Sequence, residues 1–403
     1  MNSQLILLTA EFPYGLGETF LESEIKILAK NFSKVTILHS NKSETFRNIP
    51  ANCDYIHLDH NKKIKFSSYL SNLFNPFLII ELLHVVFIQK KISLGIFKTA
   101  INSIIRAKKI KKQIEQKISN QAIKNALFYS YWCDDHAIAI CLLKKKHFSF
   151  CISRAHGWDV YFENSKYNYL PFRNLIGKNL NKLYPISKTG MNYIINNWKT
   201  NTNLNVSYLG VSKNKFLPYN KTPIIVSCSN LIPLKRVHLI IEAFHYLKDE
   251  ITWIHFGDGP ELANLLEKAK KLPKNIHVIW KGRIKNEDVL DFYAKNNPRL
   301  FINVSNSEGI PVSIMESFSF GIPAIATNVG GNHEIVNNEN GILLEENPEP
   351  KKIADAIFTL VNLEEKELLK LKETAFNTWE TKFNSEINYQ NFINDLKETA
   401  SIT

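Results

Sequence analysis

The sequence predicts an α/β protein of two domains, each a parallel β-sheet with helices on both faces. Three observations predict it: a length of 403 residues, Val/Ile/Leu-rich runs alternating with helical patterns, and Gly, Pro and charged residues clustered where those runs end. A single core stops growing near roughly 250–300 residues, so a chain of this length divides. The composition, 44% hydrophobic and 22% charged, is that of an ordinary globular chain and excludes disordered and collagen-like classes.

In the first half, apolar runs at 5–8 and 35–39 flank a helical pattern at 19–31, and runs at 126–131, 151–155 and 182–185 read as later strands. The polar stretch 212–222, with Pro218 and Pro223 beside it, reads as a linker. A second series follows at 224–229, 253–256, 277–280, 300–304, 324–327 and 341–343, with helical patterns between. The expected divisions are a first domain at 1–216, a second at 217–374 and a terminal helix at 375–403. In that last segment Phe376, Trp379, Phe383, Ile387, Tyr389, Phe392 and Leu396 recur at helical intervals, so its apolar face must pack back on the first domain.

Five scattered cysteines with no C-x-x-C pair exclude a disulfide framework and a zinc site, leaving reduced thiols. The apolar run 4–10 soon meets Glu11 and reads as a first strand, not a signal peptide. The stretch 73–88 is the most apolar, but Asn75, Pro76, Glu81 and His84 interrupt it, short of the about 20 residues a spanning helix needs. A cytoplasmic protein is expected. Of the net charge of +12, the segment 61–124 carries 13 Lys/Arg against 2 Asp/Glu, a net +11. There Ile92, Leu94, Ile96, Phe97, Ile101, Ile104 and Ile105 mix with Lys98, Arg106, Lys108, Lys109, Lys111 and Lys112. That pattern predicts peripheral contact with the anionic inner face of a membrane, and no nucleic acid.

Three constellations could carry chemistry. Lys235 and Arg236 fall at a predicted helix start, where the macrodipole disfavours cations by about 0.3–1 kcal/mol each unless an anion lies between. A diphosphate is such an anion, accepting from helix amides and both cations. Glu308-Gly309-Ile310-Pro311 follows a strand and opens a helix that carries Glu316. Pro311 suits a first turn, Gly309 permits close approach of a ligand, and the two carboxylates could hold two sets of hydroxyls. Gly257-Asp258-Gly259-Pro260 and Gly330-Gly331 read first as tight turns. In the first half, the loop from Phe12 to Thr19 holds Gly15 and Gly17 and could cradle phosphate, although G-x-G without a third glycine is a weak fingerprint. His156, before Gly157 and Asp159 at a strand end, reads equally as structural or catalytic.

Taken together, the ordered segments SNLIPLKRVHLIIEAF, FGDGPEL, WKGRI and NVSNSEGIPVSIMESFSFGIPAIATNVGGNHEIV resemble the family-4 retaining glycosyltransferases (glycosyl transferases group 1) of the GT-B fold. The resemblance is strongest from Val226 to Val336. It implies two Rossmann-like domains facing an interdomain cleft. It implies too that Lys235, with Arg236, neutralises a leaving diphosphate. Glu316 would then meet the ribose, and Glu308 the transferred sugar. Gly309 and Ile310 would offer amides to sugar and phosphate, with Gly257 also at the donor, while Arg283 and Ile284 border the base. The Gly15–Gly17 loop would close over the donor, and His156 approach the reacting carbon. Asn230 stands where many relatives carry Arg, and Asn303 where Pro is common. No cofactor or metal is implied. The expected donor is a UDP-sugar before a GDP-sugar, and the acceptor a saccharide or lipid-linked saccharide of surface polysaccharide assembly. The alternatives are a nucleotide-sugar epimerase and a non-catalytic scaffold of the same fold.

Overall fold

Runs of Val, Ile and Leu that are apolar on both faces must be covered on both faces, and a parallel sheet between helices does this. The structure, a computed structural model, describes residues 4–15, 17–59, 64–147, 149–198, 201–216 and 223–402. It divides into one unit of Met1–Ser207 with Tyr389–Thr403 and a second of Tyr208–Asn388. The first holds strands β1 (Gln4–Thr9), β2 (Lys34–His39), β3 (Cys53–His57), β4 (Leu127–Ser130), β5 (Phe150–Ala155) and β6 (Lys182–Pro185). The second holds β7 (Ile224–Cys228), β8 (Ile251–Phe256), β9 (Ile276–Trp280), β10 (Leu300–Asn303), β11 (Ala324–Thr327) and β12 (Gly341–Leu344).

All neighbours pair in parallel, in the orders β3-β2-β1-β4-β5-β6 and β12-β11-β10-β7-β8-β9. Read from its own first strand, each unit has the order 3-2-1-4-5-6. In such a sheet the strand order reverses between strands 1 and 4, and the loops leaving their carboxyl ends open a crevice. The crevice of the first unit therefore lies beyond β1 and β4, that of the second beyond β7 and β10.

Several expectations need correction. Cys53–His57 was not predicted as a strand: it is a half-buried edge with Asp54 and His57 along it, so it lacks the apolar run of a central strand. The first unit ends at Ser207, not at 216, because Val211 pairs with Asn384 and its carbonyl accepts from Trp379 Nε1 (3.2 Å). Part of the expected linker, 217–222, lies outside the described residues. The tail is not one helix. Glu365–Thr378 ends in a π-turn at Trp379–Phe383, and Ser385–Ile402 then begins afresh. Residues 375–388 stay with the second unit, whereas Tyr389–Thr403 returns to the first, as its apolar face requires.

That return is built around a buried ion pair. Arg154 and Glu24 are both fully buried and 3.1 Å apart. Arg154 Nε donates to the Tyr129 hydroxyl (2.7 Å), Nη1 to the Ser207 carbonyl (2.8 Å), and the Phe392 ring of the terminal helix covers the guanidinium at 4.7 Å.

The basic segment also differs from its expectation. The helix Leu94–Lys117 buries Ile96, Ile101, Ile104, Ile105, Ile110 and Ile114 in the core of the first unit. An amphipathic helix presents its apolar stripe to whatever covers it, and here that is the protein. Lys62 and Lys63 of the segment lie outside the described residues.

Candidate active site

In the second unit, the loop after β7 makes a 3-10 turn at Pro233–Lys235 and enters the helix Val237–Phe244 through Arg236, which adopts φ +48°. Among the described residues, no side chain caps that helix. The loop after β10 carries Glu308 and leads through Pro311 into the helix Val312–Phe318. The two loops meet where Lys235 Nζ donates to Glu308 Oε1 at 2.6 Å. Asn303 Nδ2, at the end of β10, donates to the same oxygen at 3.1 Å, and Asn303 Oδ1 accepts from the Ser305 amide. Burial works against ionisation of Glu308, but the Lys235 ammonium, with hydrogen bonds from Lys235, Ser305 and Asn303, outweighs it and holds the carboxyl below its ordinary range. Glu308 does not project freely from its loop. It is drawn back onto Lys235. A small cavity at these strand ends is lined by Cys228, Ser229, Lys235, Asn303 and Ser305.

Arg236 is placed otherwise than expected. Its guanidinium donates to the carbonyls of Val304, Ser305 and Glu346 and to Asn347 Oδ1, at 2.7–2.8 Å. It ties together the loops after β7, β10 and β12, whereas Lys235 donates directly to a carboxylate. Gly257 is likewise engaged: its amide donates to the Gly282 carbonyl (2.8 Å), and at φ +138° a Cβ would lie 1.8 Å from the Ser229 carbonyl oxygen. Gly330, at φ +51°, packs as closely on the Glu308 backbone, and the Gly331 amide donates to the Gly309 carbonyl (2.7 Å). These glycines let one loop lie directly on another, which no side chain would allow. Ile310 is buried beside them, while Ile284 is half-buried and Arg283 exposed. Arg283 Nη2 donates to Asn230 Oδ1 (3.0 Å), so a cation reaches position 230 from the loop after β9.

Glu316 is buried, and burial raises its carboxyl to about 7, opposed by the hydrogen bond from Asn286 Nδ2 (2.7 Å). The native value lies above the ordinary 4.5, so the folded chain holds a proton that the unfolded chain releases. Stability therefore falls as pH rises from about 4.5 to about 7. Glu316→Gln keeps an acceptor for Asn286 and removes the titration. Its expected advantage over the wild type is near zero below pH 4.5 and roughly 3 kcal/mol above pH 7. Urea unfolding at pH 4.5 and pH 8 reads this, and equal differences at the two pH values would contradict it.

In the first unit, the loop after β1 wraps two carboxylates. Glu11 Oε1 accepts from the Gly17 amide (2.5 Å), and any Cβ at Gly15 or Gly17 would strike the Glu11 carboxyl. The anion in this loop is the chain's own; Leu16 lies outside the described residues. Glu18, at φ +52°, accepts from the amides of Ala10, Glu11 and Phe12 and from Trp132 Nε1 (2.5 Å), joining the loops after β1 and β4. Trp132 packs on the ring of His156, with centroids 4.2 Å apart and Tyr131 at 4.9 Å. The His156 ring is buried and lies 3.7 Å from Asp159, and among the described residues neither ring nitrogen has a hydrogen-bond partner. Sequence reasoning missed Glu18, Trp132, Asn286 and Asn303. Only Asn303 left a signal, as a departure from the family's proline.

The sequence pattern of the family described as "Glycosyl transferases group 1" matches residues 211–378. Those matched residues fall within the second unit. Among curated relatives of the chain, N-acetyl-alpha-D-glucosaminyl L-malate synthase of Bacillus anthracis is 28% identical over 144 residues, 35% of this chain and 37% of that protein. The O-antigen biosynthesis glycosyltransferase WbnH of Escherichia coli is 24% identical over 208 residues, 48% of this chain and 56% of that protein. The match spans about a third of the length of the first curated relatives. Anabaena Alr3699/HepE, solved with UDP and glucose, is 15% identical, and superposes with a TM-score of 0.70 over 98% of this chain and 100% of its own. The chain thus has the expected GT-B architecture of two Rossmann-like domains.

Proposed function

We propose that the chain is a retaining glycosyltransferase that moves a sugar from a nucleotide-diphosphate sugar, a UDP-sugar before a GDP-sugar, to a saccharide or lipid-linked acceptor in surface polysaccharide assembly. The observation that carries this reading is the Lys235–Glu308 pair at the crevice beyond β7 and β10, beside a helix start with no side-chain cap. Uncapped amides and a cation together suit a diphosphate. The solved structure of HepE with UDP and glucose supports the donor class, and the O-antigen relative supports the setting.

In this reading Lys235 turns remaining N–H donors to the leaving diphosphate and Glu308 accepts from the sugar hydroxyls. Glu316 accepts from the ribose, Gly309 and Ile310 offer amides, and Arg283 and Ile284 border the base. The transition state resembles an oxocarbenium ion parting from a diphosphate, so charge on the leaving group sets the demand. Lys235 meets that demand without a metal, and the departing phosphate takes the acceptor proton on the face it leaves. The enzyme works at the cytoplasmic face of an anionic membrane, where a lipid-linked acceptor would lie.

A thermal-shift panel of UDP-, GDP- and ADP-sugars tests the donor. Ligand at about 100 times its dissociation constant adds about 2.7 kcal/mol of stability, and UDP-sugars are expected to give the largest shift. No shift with any nucleotide would favour a scaffold, and a rearranged sugar formed without acceptor an epimerase.

A further inference from the structure

A helix on a protein surface ordinarily turns a polar face to water. The helix Pro76–Phe87 does not. It buries Leu78, Glu81 and Val85 against the first unit and exposes Ile79, Ile80, Leu83, Val86 and Phe87 on the opposite side. The preceding helix, Phe66–Asn72, exposes Phe66 and Leu70 and runs on into exposed Leu73 and Phe74, and Ile88, Ile92 and Leu94 follow. Among the described residues, half of all exposed large apolar side chains lie between Phe66 and Leu94. Phe66, Phe74 and Phe87 are 76%, 87% and 70% exposed. At about 150–250 Å² per ring, these three alone reach the roughly 300–600 Å² that a monomer's largest apolar patch ordinarily covers.

The patch is held in place. Asn75 caps the second helix by accepting from the Phe77 and Leu78 amides, Lys108 Nζ donates to Asn72 (2.9 Å), and Tyr69 to Asn102 (2.8 Å). Glu81 accepts from the Tyr169 hydroxyl and the Phe172 amide on the buried side. Among the described residues of this stretch, the exposed charges are of one sign. Glu81 is the sole acidic residue between Asp59 and Glu115, and it is buried, whereas Lys65, Lys90 and Lys98 are exposed. Among the described residues no single helix is long and apolar enough to cross a membrane. The two helices meet at 74°, and the longer, at 12 residues, measures about 18 Å, short of a bilayer core of about 30 Å.

We propose that Phe66–Leu94 is a membrane-docking surface. The helix Pro76–Phe87 lies in the headgroup boundary of an anionic bilayer, Phe66, Phe74 and Phe87 enter the acyl layer, and Lys65, Lys90 and Lys98 meet lipid phosphates. Lipid fits better than a second protein copy, because a second copy would bring the same cations face to face. The proposal rests on the membrane part of the reading above and is independent of the sugar chemistry. It also moves that contact from the basic helix Leu94–Lys117, whose apolar face is buried, to the helix pair before it.

Co-sedimentation of the full chain with vesicles of phosphatidylglycerol mixed into phosphatidylcholine tests this. Binding is expected to the mixed vesicles, weakened by salt, at least about tenfold weaker to pure phosphatidylcholine, and reduced at least about tenfold by Phe74→Ser/Phe87→Ser. The nucleotide-sugar thermal shift of that variant should equal the wild type's, which separates failure of docking from failure of the donor site. Phe74→Trp should gain emission that brominated lipids quench. Absence of vesicle binding by the wild type would overturn the proposal. So would a wild-type dimer that the double substitution converts to monomer while vesicle binding is unchanged.

Discussion

Lys235→Ala is expected to lower turnover by about 100-fold or more, with a smaller rise in KM. Removing one preorganised donor from a site of developing negative charge costs about 2.7–4 kcal/mol, and the share felt only in the transition state appears in kcat. The substitution also strands Glu308, which relies on that ammonium to remain ionised where it is buried. Lys235→Ala should therefore lose stability as well as turnover. Lys235→Ala/Glu308→Gln separates the two effects, since it should recover stability and remain inactive. Steady-state kinetics and urea unfolding of both variants read this. Wild-type turnover in Lys235→Ala would refute the assignment.

The second large effect concerns the fold. Arg154→Leu leaves Glu24 buried without its partner and removes the donors that hold Tyr129 and the Ser207 carbonyl. Breaking a buried pair by removing one member costs about 3–5 kcal/mol, because a charge remains without solvent or counterion. The first unit should lose that much, read by urea unfolding, and protease should cleave the terminal helix faster as Phe392 loses the guanidinium it covers. Arg154→Leu/Glu24→Leu should recover most of the loss, because two apolar side chains need no counterion. A single substitution that costs under about 1 kcal/mol would place the stabilisation elsewhere.

Much of this was legible in the sequence where local pattern and tertiary demand agree. Strands such as β7 and β10 are apolar on both faces, and the Glu308–Glu316 segment announces itself by Gly309 and Pro311 between strand and helix. The edge strand β3 was not legible, because an edge needs no apolar run. Pattern also cannot say what covers an apolar face. Ile96, Ile101 and Ile104 read as membrane-facing yet are core, whereas Ile80, Leu83 and Phe87, in the most apolar stretch of the sequence, face outward. Side-chain partnerships over long sequence separations were equally hidden. Glu18 with Trp132, Asn286 with Glu316 and Arg236 with the β12 loop are choices of the folded chain, not of any window of residues.

The central claim is that Lys235 serves a diphosphate at the crevice beyond β7 and β10. Calorimetric titration of UDP and of uridine into wild type and Lys235→Ala tests it most directly, because the two ligands differ only in the charged group. A charged hydrogen bond is worth about 1.5–3 kcal/mol, so UDP should weaken at least about tenfold in the variant while uridine changes less than about twofold. UDP bound equally well by both proteins, or uridine losing as much as UDP, would contradict the account.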